Sequence, residues 1–172
     1  MTTATETAIT TQVYRVYIKA SPEAIWEAIT QPEWTERYNY ASRVEYDLRP
    51  GGAFRATPSD VMLQAASAEF PIPDVLVDGE VIESDPPRKL VQTWRMLMDP
   101  DMQAEGFTHL TWEIEPIDDN VTKLTVVHEL EGAPTLAFMV AGGREAEGAG
   151  GGWNEVLSGL KTVLETGESL RL

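Results

Sequence analysis

The sequence has no cysteine, which excludes disulfides, thiolate nucleophiles and zinc sites built on sulfur. Positive charge is scarce too: 13 Lys and Arg stand against 28 Asp and Glu, a formal net charge of −15. Neutralising nucleic-acid phosphates needs clustered Lys and Arg, so no nucleic-acid partner is expected, and anionic membrane surfaces are equally disfavoured. Histidine occurs twice, at His109 and His128. No second histidine or carboxylate stands at ligand spacing beside His128, so no metal is expected. No run approaches the roughly 20 apolar residues of a membrane span. The first ten residues are Thr-rich, without a basic segment or an apolar stretch, so no signal peptide is expected and a cytoplasmic location is the default. Catalytic motifs are missing as well. There is no nucleophile elbow of the G-x-S-x-G kind, and the Gly-rich stretch from Gly142 to Gly152 lacks both the dinucleotide spacing and a P-loop lysine. No cofactor is expected.

What is present is the composition of a soluble globular domain: 172 residues, 42% apolar and 24% charged, enough for one domain with a real core. Residues 1–11 are expected to be a flexible tail and 12–168 a single domain. The last helix is the clearest element. Trp153, Val156, Leu157, Leu160 and Leu164, with Val163 in the same stripe, give a wide apolar face over Trp153 to Leu164. Gly150-Gly151-Gly152 and Gly167 punctuate its ends.

Before it, residues 12 to 130 read mainly as strands. Val13 to Lys19 puts Tyr14, Val16 and Ile18 on one face. Ser21-Pro22-Glu23 starts a helix with a hydroxyl cap, a proline preset for the first turn and a favourable charge. A second short helix begins at Pro32 and runs to about Tyr38. Arg43–Leu48 and Gly52–Thr57 form a hairpin across Arg49-Pro50-Gly51. A short helix is expected within Asp60 to Phe70, followed by Pro71 and Pro73, which no regular central strand accommodates. Strands over Leu76–Ser84, Lys89–Met98, Gly106–Glu115 and Val121–Leu130 complete the set. The strands after residue 42 are not expected to alternate with crossover helices, so a doubly wound parallel sheet is not expected; the sheet is read as antiparallel and the class as α+β.

Parity assigns directions. His109 shares its face with Thr111 and Glu113 and should point outward. His128 shares its face with Leu124 and Val126 and should point inward, as a neutral core histidine or as a handle or general acid/base on a ligand. Glu80, Glu83, Glu113 and Glu115 fit a solvent face. Trp94, Met96 and Met98 alternate along one strand, and Trp112 faces inward from another. Tyr38, Phe54, Phe138 and Trp153 converge on the same interior. Polar-tipped aromatics and adaptable methionines suit an apolar ligand cavity.

The segments VYRVYIKASPEAIWEAITQPEW, LRPGGAFR, GEVIESDPPRKLVQTWR, LTWEIEPIDDNVTKLTVVHE and GGWNEVLSGLKTVLE, in that order, resemble the helix-grip superfamily, which includes START lipid-transfer domains and polyketide cyclases. They are most similar to the proteins that resemble the activator of the 90-kDa heat-shock-protein ATPase. The resemblance implies a curved antiparallel sheet of six or seven strands wrapped around the last helix, with a cavity between them. It implies binding of a hydrophobic or aromatic small molecule by Tyr38, Phe54, Trp94, Met96, Met98, Trp112, His128, Phe138 and Trp153. Two alternatives accompany it: a chaperone-cofactor or other protein-interaction module, and a cyclase, dehydratase or hydrolase acting on a bound hydrophobic substrate. A homodimer is left open.

Overall fold

The computed structural model describes residues 10–171. Residues 1–9 of the expected tail lie outside the described residues, and the first strand already opens at Thr11. The chain runs β1 (Thr11–Ile18), α1 (Pro22–Thr30), α2 (Pro32–Thr35), β2 (Ser42–Tyr46), β3 (Ala53–Pro58), α3 (Asp60–Gln64), β4 (Val77–Asp85) and β5 (Lys89–Met96). It continues through α4 (Pro100–Glu105), β6 (Thr108–Pro116), β7 (Thr122–Glu129), α5 (Pro134–Val140) and α6 (Trp153–Thr166). Seven antiparallel strands form one sheet in the order β1-β7-β6-β5-β4-β3-β2. This is the α+β helix-grip architecture, with α6 lying across the hollow of the sheet. No helix among the described residues is long and apolar enough to cross a membrane.

The start of α1 follows from its residues. The Ser21 hydroxyl accepts from the Ala24 amide at 3.1 Å, Pro22 occupies the first turn, and Glu23 complements the positive helix end. Helix α6 buries Trp153, Val156, Leu157, Leu160 and Val163; each such side chain removed from water stabilises the fold by about 1.5–3 kcal/mol. Lys161 Nζ donates to the Tyr17 carbonyl at 2.7 Å and Glu165 accepts from the Lys19 amide at 3.0 Å, which ties α6 along β1.

Three of the boundaries that differ from expectation have a visible cause. The helix within 60–70 stops at Gln64: α3 buries no residue, and an isolated helix of one turn and a half has little to extend it. The second short helix stops at Thr35, but turns continue to Asn39, and Tyr40 and Ala41 then take positive φ of 52° and 57°. The strand expected to run to Met98 ends at Met96, because Asp99-Pro100 starts the unforeseen helix α4. Asp99 Oδ1 accepts from the amides of Asp101 and Met102 at 2.9 and 3.1 Å, and Met102 is buried. Glu105 at the far end of α4 then accepts from the Thr135 and Leu136 amides at 2.8 and 3.0 Å, satisfying the first turn of α5.

Two apolar clusters make up the core. The larger joins α1, α6 and strands β4–β7; the smaller contains Val44, Phe54, Ala56, Leu76 and Val77. Tyr46, Trp94 and Met96 pack against both. The core is therefore parted rather than continuous, and the gap falls between sheet and helix.

Candidate functional site: an apolar cavity between sheet and last helix

A cavity of about 370 Å³ occupies that gap, within the range of small-molecule sites. Strands supply Phe54, Ala56, Trp94, Met96, Leu110 and Trp112; α6 supplies Trp153 and Val156; Met62, Met98, Met102 and Met139 come from the connections. No Lys or Arg lines it, and the one charged residue on its wall is Asp99. The cavity lies toward the end of the sheet where β2, β4 and β6 begin. Exposed apolar side chains gather on the connections at this end: Val61, Leu63, Phe70, Met98, Phe107 and Phe138.

Of the residues picked out by sequence, Tyr38, Phe54, Trp94, Met96, Met98, Trp112 and Trp153 are all on the wall. Phe138 is not, and its placement corrects the expectation. In α5 the inward stripe is Leu136, Met139 and Val140, at helical spacing, so Phe138 falls on the opposite side, 58% exposed and packed over Gly143. Tyr38 is committed elsewhere, its hydroxyl donating to the Ala28 carbonyl at 2.7 Å.

His128 points inward and is fully buried, but behind the wall rather than on it. Both ring nitrogens are engaged. Trp153 Nε1–H can only donate, and it lies 3.1 Å from Nδ1; Nδ1 is therefore the unprotonated nitrogen. Nε2–H then donates to Thr108 Oγ1 at 2.8 Å, and Thr108 passes its own proton to the Trp94 carbonyl at 2.8 Å. The Trp94 and Trp153 rings pack edge-on to the imidazole at 5.4 and 5.9 Å. Burial without a charged partner lowers the His128 pKa to about 3. The histidine is a neutral strut that orients Trp153 and locks the end of β6 to β7. Neither nitrogen is left for a ligand or a proton transfer.

A second polar group escaped the sequence reading. Gln92 is fully buried on the inner face of β5, and its Oε1 accepts from Tyr46 Oη at 2.7 Å and Trp112 Nε1 at 3.3 Å. The signal was available: Gln92 stands between Leu90 and Trp94 on the inward parity. Burial raises the Tyr46 and Tyr38 hydroxyl pKa values far above the usual tyrosine range.

One side of the mouth is closed by Tyr40. Its hydroxyl accepts from the Gly152 amide at 3.1 Å and meets Glu155 Oε2 at 3.3 Å, while Glu155 also takes the Gly151 amide at 2.6 Å and the Arg171 side chain at 3.0 Å. Burial, then the Glu155 charge, pushes the Tyr40 pKa up to about 12. The Tyr40 ring sits so close to Gly150 that a Cβ there would lie 2.6 Å from it. The end of the Gly-rich stretch is thus held by Tyr40 and Glu155, and its Gly148, Ala149 and Gly152 line the cavity.

A larger groove, about 770 Å³, runs outside α2 and α6. Its arginines are occupied: Arg43 by Glu36, Arg171 by Glu155, and Arg37 by the Gly167 carbonyl and the Trp34 ring. It is a salt-bridged surface crevice. No group of three or more potential metal-ligating side chains comes together among the described residues.

The family profile described as Activator of Hsp90 ATPase homolog 1-like protein matches residues 19–165. The chain belongs to this family. No curated protein sequence matches it significantly. Among solved structures it is similar to an HSP90 activator from Plasmodium falciparum, with 19% identity, a TM-score of 0.62 and coverage of 91% of this chain and 96% of that one. It is similar to the Aha1 dimer from Colwellia psychrerythraea, with 17% identity, a TM-score of 0.61 and coverage of 94% and 100%. DynU16, from the dynemicin biosynthetic locus, has 21% identity and a TM-score of 0.63, over 95% of this chain and 50% of that one. At these identities the likeness is one of fold.

Proposed function

We propose that this chain binds an apolar or aromatic small molecule in the cavity between its curved sheet and α6. The observation that carries this reading is the parted core: two apolar clusters leave about 370 Å³ between them, walled by aromatics and methionines. A domain selected only for stability would close such a gap, because lost contacts around a void are destabilising. Flexible methionines suit a wall that adapts to its occupant. Binding rather than acid–base catalysis is favoured because His128, the one inward histidine, is neutral and doubly hydrogen-bonded.

The test uses the protein's own fluorescence. Three of its five tryptophans, Trp94, Trp112 and Trp153, line the cavity. A panel of lipids, polyketides and aromatic compounds should include members that change this emission saturably and are retained in native mass spectrometry. Trp94→Ala should weaken them. No saturable change with any member refutes the reading.

A second reading, a chaperone cofactor, is favoured by the family description and by the Plasmodium falciparum neighbour. The charge of −15 would steer the chain toward a basic partner surface. Salt-sensitive association with the 90-kDa chaperone and a raised ATPase rate would support it; neither effect at low salt would refute it.

A further inference from the structure

Resting on the reading of the cavity as a ligand site, we infer that its occupant is an uncharged molecule with a carbonyl oxygen, which takes the indole N–H of Trp94. Trp94, Trp112 and Trp153 all stand on the cavity wall, and the chain supplies an acceptor to two of them. Trp112 Nε1 donates to Gln92 at 3.3 Å and Trp153 Nε1 to His128 at 3.1 Å. Trp94 Nε1 meets no acceptor among the described residues. An indole N–H can only donate, so the group it lacks is an acceptor.

This donor is open rather than sealed in. Among the described residues the side-chain polar atoms that are both closed to solvent and unpartnered are Ser84 Oγ and Gln92 Nε2, and Trp94 Nε1 is not one of them. The direction in which it opens follows from the fold. Trp94 shares the inward face of β5 with Leu90, Gln92 and Met96, and it packs against both apolar clusters, at the seam that holds the cavity. It borders the cavity and not the outer groove. The ring is held edge-on to the buried His128 at 5.4 Å. Its open edge therefore faces the cavity in the structure as it stands.

The rest of the wall narrows the acceptor. An occupant displaces water from this N–H, and a purely apolar body would leave the donor buried without a partner, which weakens binding. No Lys or Arg lines the cavity, and its one charged residue is Asp99. A carboxylate would thus be desolvated beside a like charge with nothing to offset it. The carbonyl of a ketone, ester or amide on an aromatic body satisfies the indole without that penalty.

Matched probes decide the matter: 2-acetylnaphthalene, 2-ethylnaphthalene and 2-naphthoate, titrated into the full chain and into Trp94→Phe, which keeps an aromatic ring but loses the N–H. The acetyl and ethyl groups differ little in shape, so the ratio of their affinities reports on the carbonyl. From wild type to variant the preference for the ketone should fall about tenfold, the effect of one buried hydrogen bond, while 2-ethylnaphthalene binds both. In the wild type 2-naphthoate should bind most weakly. By 15N NMR of the wild type, the Trp94 Hε1 signal should move downfield on saturation with the ketone and not with the hydrocarbon, a readout that does not depend on the variant folding. An unchanged ratio, an unmoved Hε1 in the saturated ketone complex, or 2-naphthoate bound as tightly as the ketone overturns the inference and leaves the cavity reading standing. Binding by none of the three to the wild type at their solubility limits overturns both.

Discussion

Replacing His128 with Gln should flatten the acid sensitivity of folding. In the folded chain His128 stays neutral down to about pH 3 because it is buried, whereas in the unfolded chain it takes up a proton near pH 6.5. Between those values the unfolded state holds the extra proton, so stability falls as pH falls. The loss is about 1.4 kcal/mol per pH unit well inside this window, and about 2 kcal/mol between pH 7 and pH 5 when the unfolded titration is integrated. Glutamine can still donate to Thr108 and accept from Trp153, but does not titrate. The 28 carboxylates give both proteins a common background, which cancels in the difference. Urea unfolding of wild type and His128→Gln from pH 7 to pH 5 measures it. The variant should cost about 1–2 kcal/mol at pH 7, and the gap should close or reverse by pH 5. A gap that stays constant, or an NMR titration placing His128 at pH 6 or above, would refute the buried neutral strut.

Three further outcomes follow from the same contacts. Trp153→Phe keeps the ring but removes the proton that pins His128 Nδ1; it should cost about 1 kcal/mol and raise the His128 pKa above its present value, read by NMR. Tyr40→Phe removes the hydroxyl that holds Gly152; global stability should change by less than about 1 kcal/mol, while amide exchange at residues 150–152 quickens several-fold. Gly152→Ala should be far more damaging. Its φ is +68° and a Cβ would stand 2.1 Å from the Val140 carbonyl, so denaturation should show a loss above about 2 kcal/mol, and a loss under half of that would contradict the packing.

Periodicity made much of this architecture legible. The stripe of α6, the Ser21-Pro22 start of α1 and the alternation of Leu110, Trp112 and Ile114 each reflect a local rule that tertiary packing then reinforced. The helix α4 was harder to see because its strongest signals, Asp99-Pro100 at one end and Gly106 at the other, also read as loop punctuation. Seven of the nine singled-out side chains line one cavity; strand parity and helix pitch set the inward faces of five, while Tyr38 and Met98 reach it from turns beyond α2 and β5. Phe138 failed because the seven-residue helix α5 was not foreseen, so no helical stripe oriented it. The roles of His128 and Gln92 were out of reach for a different reason. Parity says that a side chain points inward, but only the register of β5, β6 and β7 says which donors and acceptors it meets there.

The most direct test uses the methionines. Five of the six, Met62, Met96, Met98, Met102 and Met139, line the cavity, the sixth being Met1. With 13C-labelled methionine methyl groups, an apolar ligand that binds as proposed should give NOEs to Met96, Met102 and Met139 together, with saturable shifts. Shifts confined to the exposed Met98, or none at any of the five across the ligand panel, would contradict the account.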